Sequence, residues 1–174
     1  MGMTADSMTT SAGTRQRLTP LQVDFILGPV SISVASADVN LAPSLARAYG
    51  CRYANDRCEV ALFLSVPRSE SLLRDLRAGA AVAAVFSRPS THQTLQLKGT
   101  QADTTPLARG DRERMIAYGK VFVAEIGALG YADLFTGRLM SAVTEDAVAI
   151  SFRPVAAYEQ TPGPAAGKSL DTLE

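Results

Sequence analysis

The sequence predicts a mainly β domain in which six antiparallel strands close into a barrel, with two or three α-helices at its periphery. Three observations predict it. Apolar and polar residues alternate strictly in segments such as Val-Ser-Ile-Ser-Val-Ala at 30–35, the period of a half-buried strand. Turn residues follow these segments at short intervals, which favours antiparallel pairing. Closure into a barrel would also remove exposed edges. Finally, the 174 residues are 47% hydrophobic and 20% charged, enough apolar material for the core of one domain.

Each element follows from local chemistry. Thr19 before Pro20 is an N-cap followed by proline at the first helical position, and Gly28-Pro29 ends that short helix. In the strand over 30–35, Val30, Ile32 and Val34 share one face while Ser31 and Ser33 occupy the other. Asp38-Val39-Asn40 turns the chain into a second strand over 43–53, which sets Arg47 in one row with Leu45 and Tyr49. A charged side chain in that row calls for a reason. The third strand, over 60–66, is almost wholly apolar, and Pro67 stops it. Ser69 then caps a helix running to about residue 78, with Leu72, Leu73 and Leu76 on one side and Gly79 beyond its end. Strands follow over 82–86 and 95–102; in the latter, Thr94, Gln96 and Lys98 point one way and Leu95 and Leu97 the other. Met115, Tyr118, Phe122, Ile126 and Leu129 recur at helical spacing and predict a long amphipathic helix from Asp111. A shorter helix is expected over 132–139 and the sixth strand over 147–158. The organisation is a loose polar leader at 1–17, a folded body at 18–160, and a Pro/Gly-rich tail at 161–174 that turns and then extends.

Several function classes have no support. Seventeen basic and seventeen acidic residues cancel, so no overall field draws nucleic acid or an anionic membrane. No window approaches the roughly 18 apolar residues of a membrane helix, and no basic-then-apolar leader opens the chain, so a soluble cytoplasmic protein is expected. In that setting Cys51 and Cys58 are expected as reduced thiols. His92, the single histidine, excludes a histidine-rich metal site, and no metal site is predicted; it is expected on an exposed loop. Nucleophile-elbow, dinucleotide and P-loop motifs are all missing. The alternating charges of Asp111, Arg112, Glu113 and Arg114 are expected to form a solvated first turn. No residue stands out as catalytic.

The stretch from Phe86 to Gly99 is different. It gathers Ser87, Arg88, Thr91, Thr94, Gln96 and Lys98 at the end of one strand, a turn and the next strand. A guanidinium can grip phosphate through two nitrogens while neighbouring hydroxyls donate, so the group suits an anionic ligand; the same residues would equally make a solvated hairpin.

In element order and in three segments the chain resembles the flavin-binding split barrels related to pyridoxamine 5'-phosphate oxidase. The segments are Gly28-Pro29-Val30-Ser31-Ile32; residues 72–78 followed by Val82-Ala83-Ala84-Val85-Phe86; and residues 95–102, and the resemblance extends from about Leu21 to Gln160. It implies a six-stranded antiparallel split barrel, a homodimer, and FMN in a cleft between subunits. It further implies cofactor contacts from Arg47, Ser65, Ser87, Arg88, Thr94 and Gln96, which fall where the family places them. One position departs: where family members often carry a lysine or arginine aimed at the FMN phosphate, this chain has Leu72, with Arg68 and Arg88 available as substitutes. The resemblance therefore implies an FMN-dependent oxidoreductase acting on a small molecule. The deazaflavin F420 or haem, with His92 as the one histidine for axial ligation, and a non-catalytic flavin-binding dimer are the alternatives.

Overall fold

The computed structural model describes residues 17–131 and 146–170. Its elements run α1 (Pro20–Leu27), β1 (Ser31–Ala37), β2 (Pro43–Ala54), β3 (Glu59–Ser65), α2 (Glu70–Arg77), β4 (Val82–Ser87), β5 (Thr94–Gly99), β6 (Asp103–Pro106), α3 (Asp111–Gly127), β7 (Ala147–Phe152) and β8 (Ala156–Glu159). The helix expected over 132–139 lies outside the described residues.

The strands form a single antiparallel sheet in the order β6-β7-β3-β2-β1-β4-β5-β8. Two expectations are corrected. There are eight strands among the described residues rather than six, and no ladder joins β6 to β8, so the sheet is open where a closed barrel was predicted. The extra strands have identifiable causes. Arg153-Pro154-Val155 breaks the predicted strand over 147–158, because proline lacks the ladder donor, and its halves become β7 and β8 on opposite ends of the sheet. The strand expected over 95–102 ends at Gly99; three residues later the polar segment Asp103–Pro106 pairs with β7 as an edge strand.

These two three-residue connections both cross the same gap. Across it the sheet ends meet through packing: a Cβ at Gly99 of β5 would lie 2.7 Å from Cδ2 of Phe152 on β7 and 3.1 Å from Cγ1 of Val82. Glycine is required there by the close approach of the two ends. The result is a split-barrel-like β fold around a core that includes Ile32, Val34, Leu62, Leu64, Phe86 and Leu97, all fully buried.

The helices cover selected faces. In α1 the Thr19 hydroxyl accepts from Gln22 N–H while the Gln22 side chain accepts from Thr19 N–H, a reciprocal cap built on the predicted N-cap. In α2 the expected Ser69 cap does not form: its hydroxyl is buried with no hydrogen-bond partner. Leu72, Leu73 and Leu76 face the core as predicted. The start of α3 also departs from a solvated turn. Asp111 is fully buried, 3.2 Å from Arg52 Nε and 3.7 Å from Arg114 Nη1, and it accepts the Ala108 N–H, pinning the helix to β2. Farther along, α3 lies over a bulge in β2 at Gly50, whose φ of +115° and closeness to Tyr118 both favour glycine.

The tail folds back. Leu170 N–H donates to Ala157 O and Glu159 N–H to Lys168 O, so residues 161–170 turn and return along β8.

Candidate functional site on the outer sheet face

Strand register assembles the site. Arg47 of β2 stands opposite Ser33 of β1, Ser33 opposite Val85 of β4, Val85 opposite Gln96 of β5, and Gln96 opposite Tyr158 of β8. The adjacent row runs Ser31, Ser87, Thr94. Side chains two residues apart share a face, so both rows lie on the outer surface. Neither contains an acidic residue. Four of the six predicted contacts, Arg47, Ser87, Thr94 and Gln96, are therefore brought onto one face, each half-buried.

Arg47 is held from three sides. Its Nη1 donates to Ser31 Oγ at 3.1 Å, its Nη2 donates to the Tyr118 hydroxyl at 3.2 Å, and its guanidinium carbon lies 4.6 Å above the Phe122 ring. The Tyr118 hydroxyl in turn donates to Val30 O at 2.8 Å, and Tyr118 stacks on Phe122 with centroids 5.7 Å apart. Burial pushes the phenol up to about 12, with the Arg47 charge pulling the other way, so it stays a neutral donor. This is the reason for a charged residue in that row: α3 supplies a hydroxyl and an aromatic face to receive it. Its Nε remains buried with no hydrogen-bond partner.

Arg88 follows β4 directly. Its Nε is also buried and unpartnered, and a Cβ at Gly28 would approach its Nη2 to 3.1 Å, so the Gly28-Pro29 turn makes room for this side chain. Beside it, the Ser87 and Thr94 hydroxyls share a 2.9 Å hydrogen bond, and Thr94 Oγ1 donates to His92 O. Gln96 accepts from Gln160 Nε2 at 3.3 Å.

The other predicted positions lie elsewhere. Ser65, at the end of β3, is completely buried and engaged within the protein. Leu72, where the resemblance implies a basic residue, is buried in the core. Arg68 is exposed just before α2.

Sequence reasoning missed a cleft. Ser31 and Arg47 form its floor, Phe122, Ile126, Leu129 and Tyr131 one wall, and Pro89 and His92 the other, enclosing about 410 Å³. The β4–β5 hairpin is fastened to α3 at this point, because Ser90 donates to the Glu125 carboxylate through both its hydroxyl and its N–H. His92 is exposed, as expected of a loop histidine, yet with a φ of +59° it sits on the cleft rim. The apolar wall was visible as the inner stripe of a helix; only the tertiary fold shows that its end is left over as cleft lining.

No protein-family model matches the sequence, and no curated protein matches it. Solved structures do: 51 chains share the arrangement. One is a candidate pyridoxamine 5'-phosphate oxidase from Lactobacillus delbrueckii, 11% identical, covering 82% of this chain and 93% of that one, with a TM-score of 0.50. Another is a pyridoxamine 5'-phosphate oxidase-related, FMN-binding protein from Nostoc punctiforme, at 10% identity, 83% and 80% coverage and a TM-score of 0.43. HupZ from Group A Streptococcus matches at 14% identity, 86% and 100% coverage and a TM-score of 0.47. The likeness to the Lactobacillus structure makes the class the split-barrel-like β fold of pyridoxamine 5'-phosphate oxidase-like proteins, as the sequence resemblance implied. At these identities the likeness is one of fold.

Proposed function

We propose that this chain binds FMN on the outer face of β1, β2, β4 and β5 and uses it in oxidoreduction of a small molecule, as a homodimer whose second subunit covers that face. The observation that carries the reading is a pair of buried guanidinium nitrogens without hydrogen-bond partners among the described residues, on Arg47 and Arg88, beside a hydroxyl row on two strand rows free of acidic residues. Unpaired buried polar groups are costly, and a phosphate drawn to Arg88 would lower that cost at its end of the face.

The residues fit the cofactor's chemistry. Arg88, Ser87 and Thr94 would hold the phosphate, since a guanidinium offers a planar fork and the hydroxyls can turn their protons toward it. Gln96 can donate or accept toward a polar ring edge. Bound flavin supplies hydride transfer, and the protein supplies position and electrostatics. Residues specialised as nucleophile or proton relay are then not needed, in keeping with a sequence that shows neither a triad nor paired carboxylates. Dimerisation is supported by the uncovered row Leu45, Ala35, Ala83, Lys98, Ala156, in which Leu45 is 71% exposed.

Titration of FMN fluorescence against the wild type and Arg88→Ala tests the assignment. A lost charge-assisted hydrogen bond is worth about 1.5–3 kcal/mol, so affinity should fall roughly tenfold or more. Unchanged affinity would remove Arg88 from the site. Parallel titrations with F420 and haem decide the cofactor: tight binding of either, with none of FMN, overturns the reading.

A further inference from the structure

We propose that the cleft between α3 and the β4–β5 hairpin binds a small organic carboxylate with an aromatic body, its carboxylate on Arg47 and its ring against Phe122, Ile126 and Leu129. Three observations combine. First, the Arg47 cation is partly buried and, among the described residues, has no carboxylate partner; the nearby Glu125 is taken by Ser90. A cation removed from water without a counter-charge is costly, which favours a site completed by an anion from outside. Second, Arg47 lines the cleft floor, and of its terminal guanidinium donors one N–H of Nη1 goes to Ser31 and one of Nη2 to Tyr118, which leaves a second N–H on each. Those two N–H groups lie in one plane and suit the two oxygens of a carboxylate. Third, the walls above it are apolar and aromatic, and about 410 Å³ accommodates a body the size of one or two rings. A bare inorganic anion would leave those walls in contact with water.

The cleft shares Arg47 and Ser31 with the face assigned to FMN, so as the substrate class of that site this inference rests on the flavin reading. Binding of the acid itself does not require flavin, which separates the two in experiment.

The probe is 4-(trifluoromethyl)benzoate, observed by fluorine NMR titration of the purified full chain with and without saturating FMN, and compared with the neutral 4-(trifluoromethyl)benzamide. The acid should bind roughly tenfold tighter than the amide, with FMN present or absent. Arg47→Met should abolish the preference for the acid. Leu129→Asp places a like charge on a solvent-exposed wall and should weaken the acid roughly tenfold while leaving thermal unfolding unchanged. Equal binding of acid and amide, or an unaffected Leu129→Asp variant, overturns the proposal. Displacement of the acid by FMN overturns it as well, by giving the cleft to the flavin. Acid binding by a protein that retains no FMN would sustain this inference and remove the flavin reading; FMN retained without acid binding would do the reverse.

Discussion

Tyr118 and Cys51 tie the stability of this protein to alkaline pH. Cys51 is buried under α1, its thiol turned to Ile26 O, and desolvation raises it from 9.0 to about 12. Tyr118 rises from 10.0 to about 12, chiefly through burial. Both groups stay protonated in the native state while the unfolded chain loses those protons above about pH 9. Their contribution is thus complete below pH 9 and declines as the pH climbs toward 12, each group adding a slope of about 1.4 kcal/mol per pH unit once ionised in the unfolded state. Urea unfolding midpoints measured from pH 8 to 11 should fall continuously above pH 9, and Cys51→Ala should flatten the early part of the decline. A midpoint constant to pH 11 would contradict this placement of the two groups.

Legibility at this scale was uneven, for a physical reason. Arg47 stood out because a cation in an alternating strand row is anomalous, whereas Ser87, Thr94 and Gln96 were singled out by the family resemblance, and strand register places all four on one face. The burial of Ser65 and the inward turn of Leu72 depend on what packs over β3 and α2, which local pattern does not encode. Asp111 was misread for a similar reason: its partner Arg52 lies 59 positions earlier in the chain and is brought to it only by the packing of α3 on β2.

Among the elements, Gly99 governs how the split is closed. A Cβ there would overlap Phe152, and overpacking of this kind costs about 1–3 kcal/mol. Gly99→Ala should lower the denaturation midpoint accordingly, and Phe152→Leu in the same chain should recover part of the loss. An unchanged midpoint for Gly99→Ala would mean that the two sheet ends do not approach as described. The elements with strong apolar alternation or helical spacing were predicted within a few residues. Two features are not legible in local pattern: β6, whose Asp-Thr-Thr-Pro sequence carries no period and pairs because β7 offers an edge, and the break between β7 and β8, where Pro154 overrides the surrounding alternation.

At the level of the whole molecule, sheet topology gathers the polar rows onto one outer face. The helix α3 covers the outer side of β2, whereas among the described residues the rows across β1, β4 and β5 are left open, with Leu45, alanines and Lys98 at one end and Arg47, Arg88 and hydroxyls at the other. A second subunit on this face, as proposed, would bury Leu45 and its alanine neighbours and enclose the end that holds Arg47 and Arg88. Sedimentation equilibrium should therefore report a dimer, and Leu45→Glu should shift it toward monomer because it buries a charge in the interface. A monomeric wild type would contradict the dimer.

Whether the outer face of β1, β2, β4 and β5 holds flavin is decided by one experiment. The direct measurement is the visible absorption spectrum of the purified protein after mixing with FMN and removing the excess by gel filtration. About one flavin retained per chain, lost in Arg88→Ala, is the predicted result. No flavin retained by the wild type would contradict the assignment of this face to FMN.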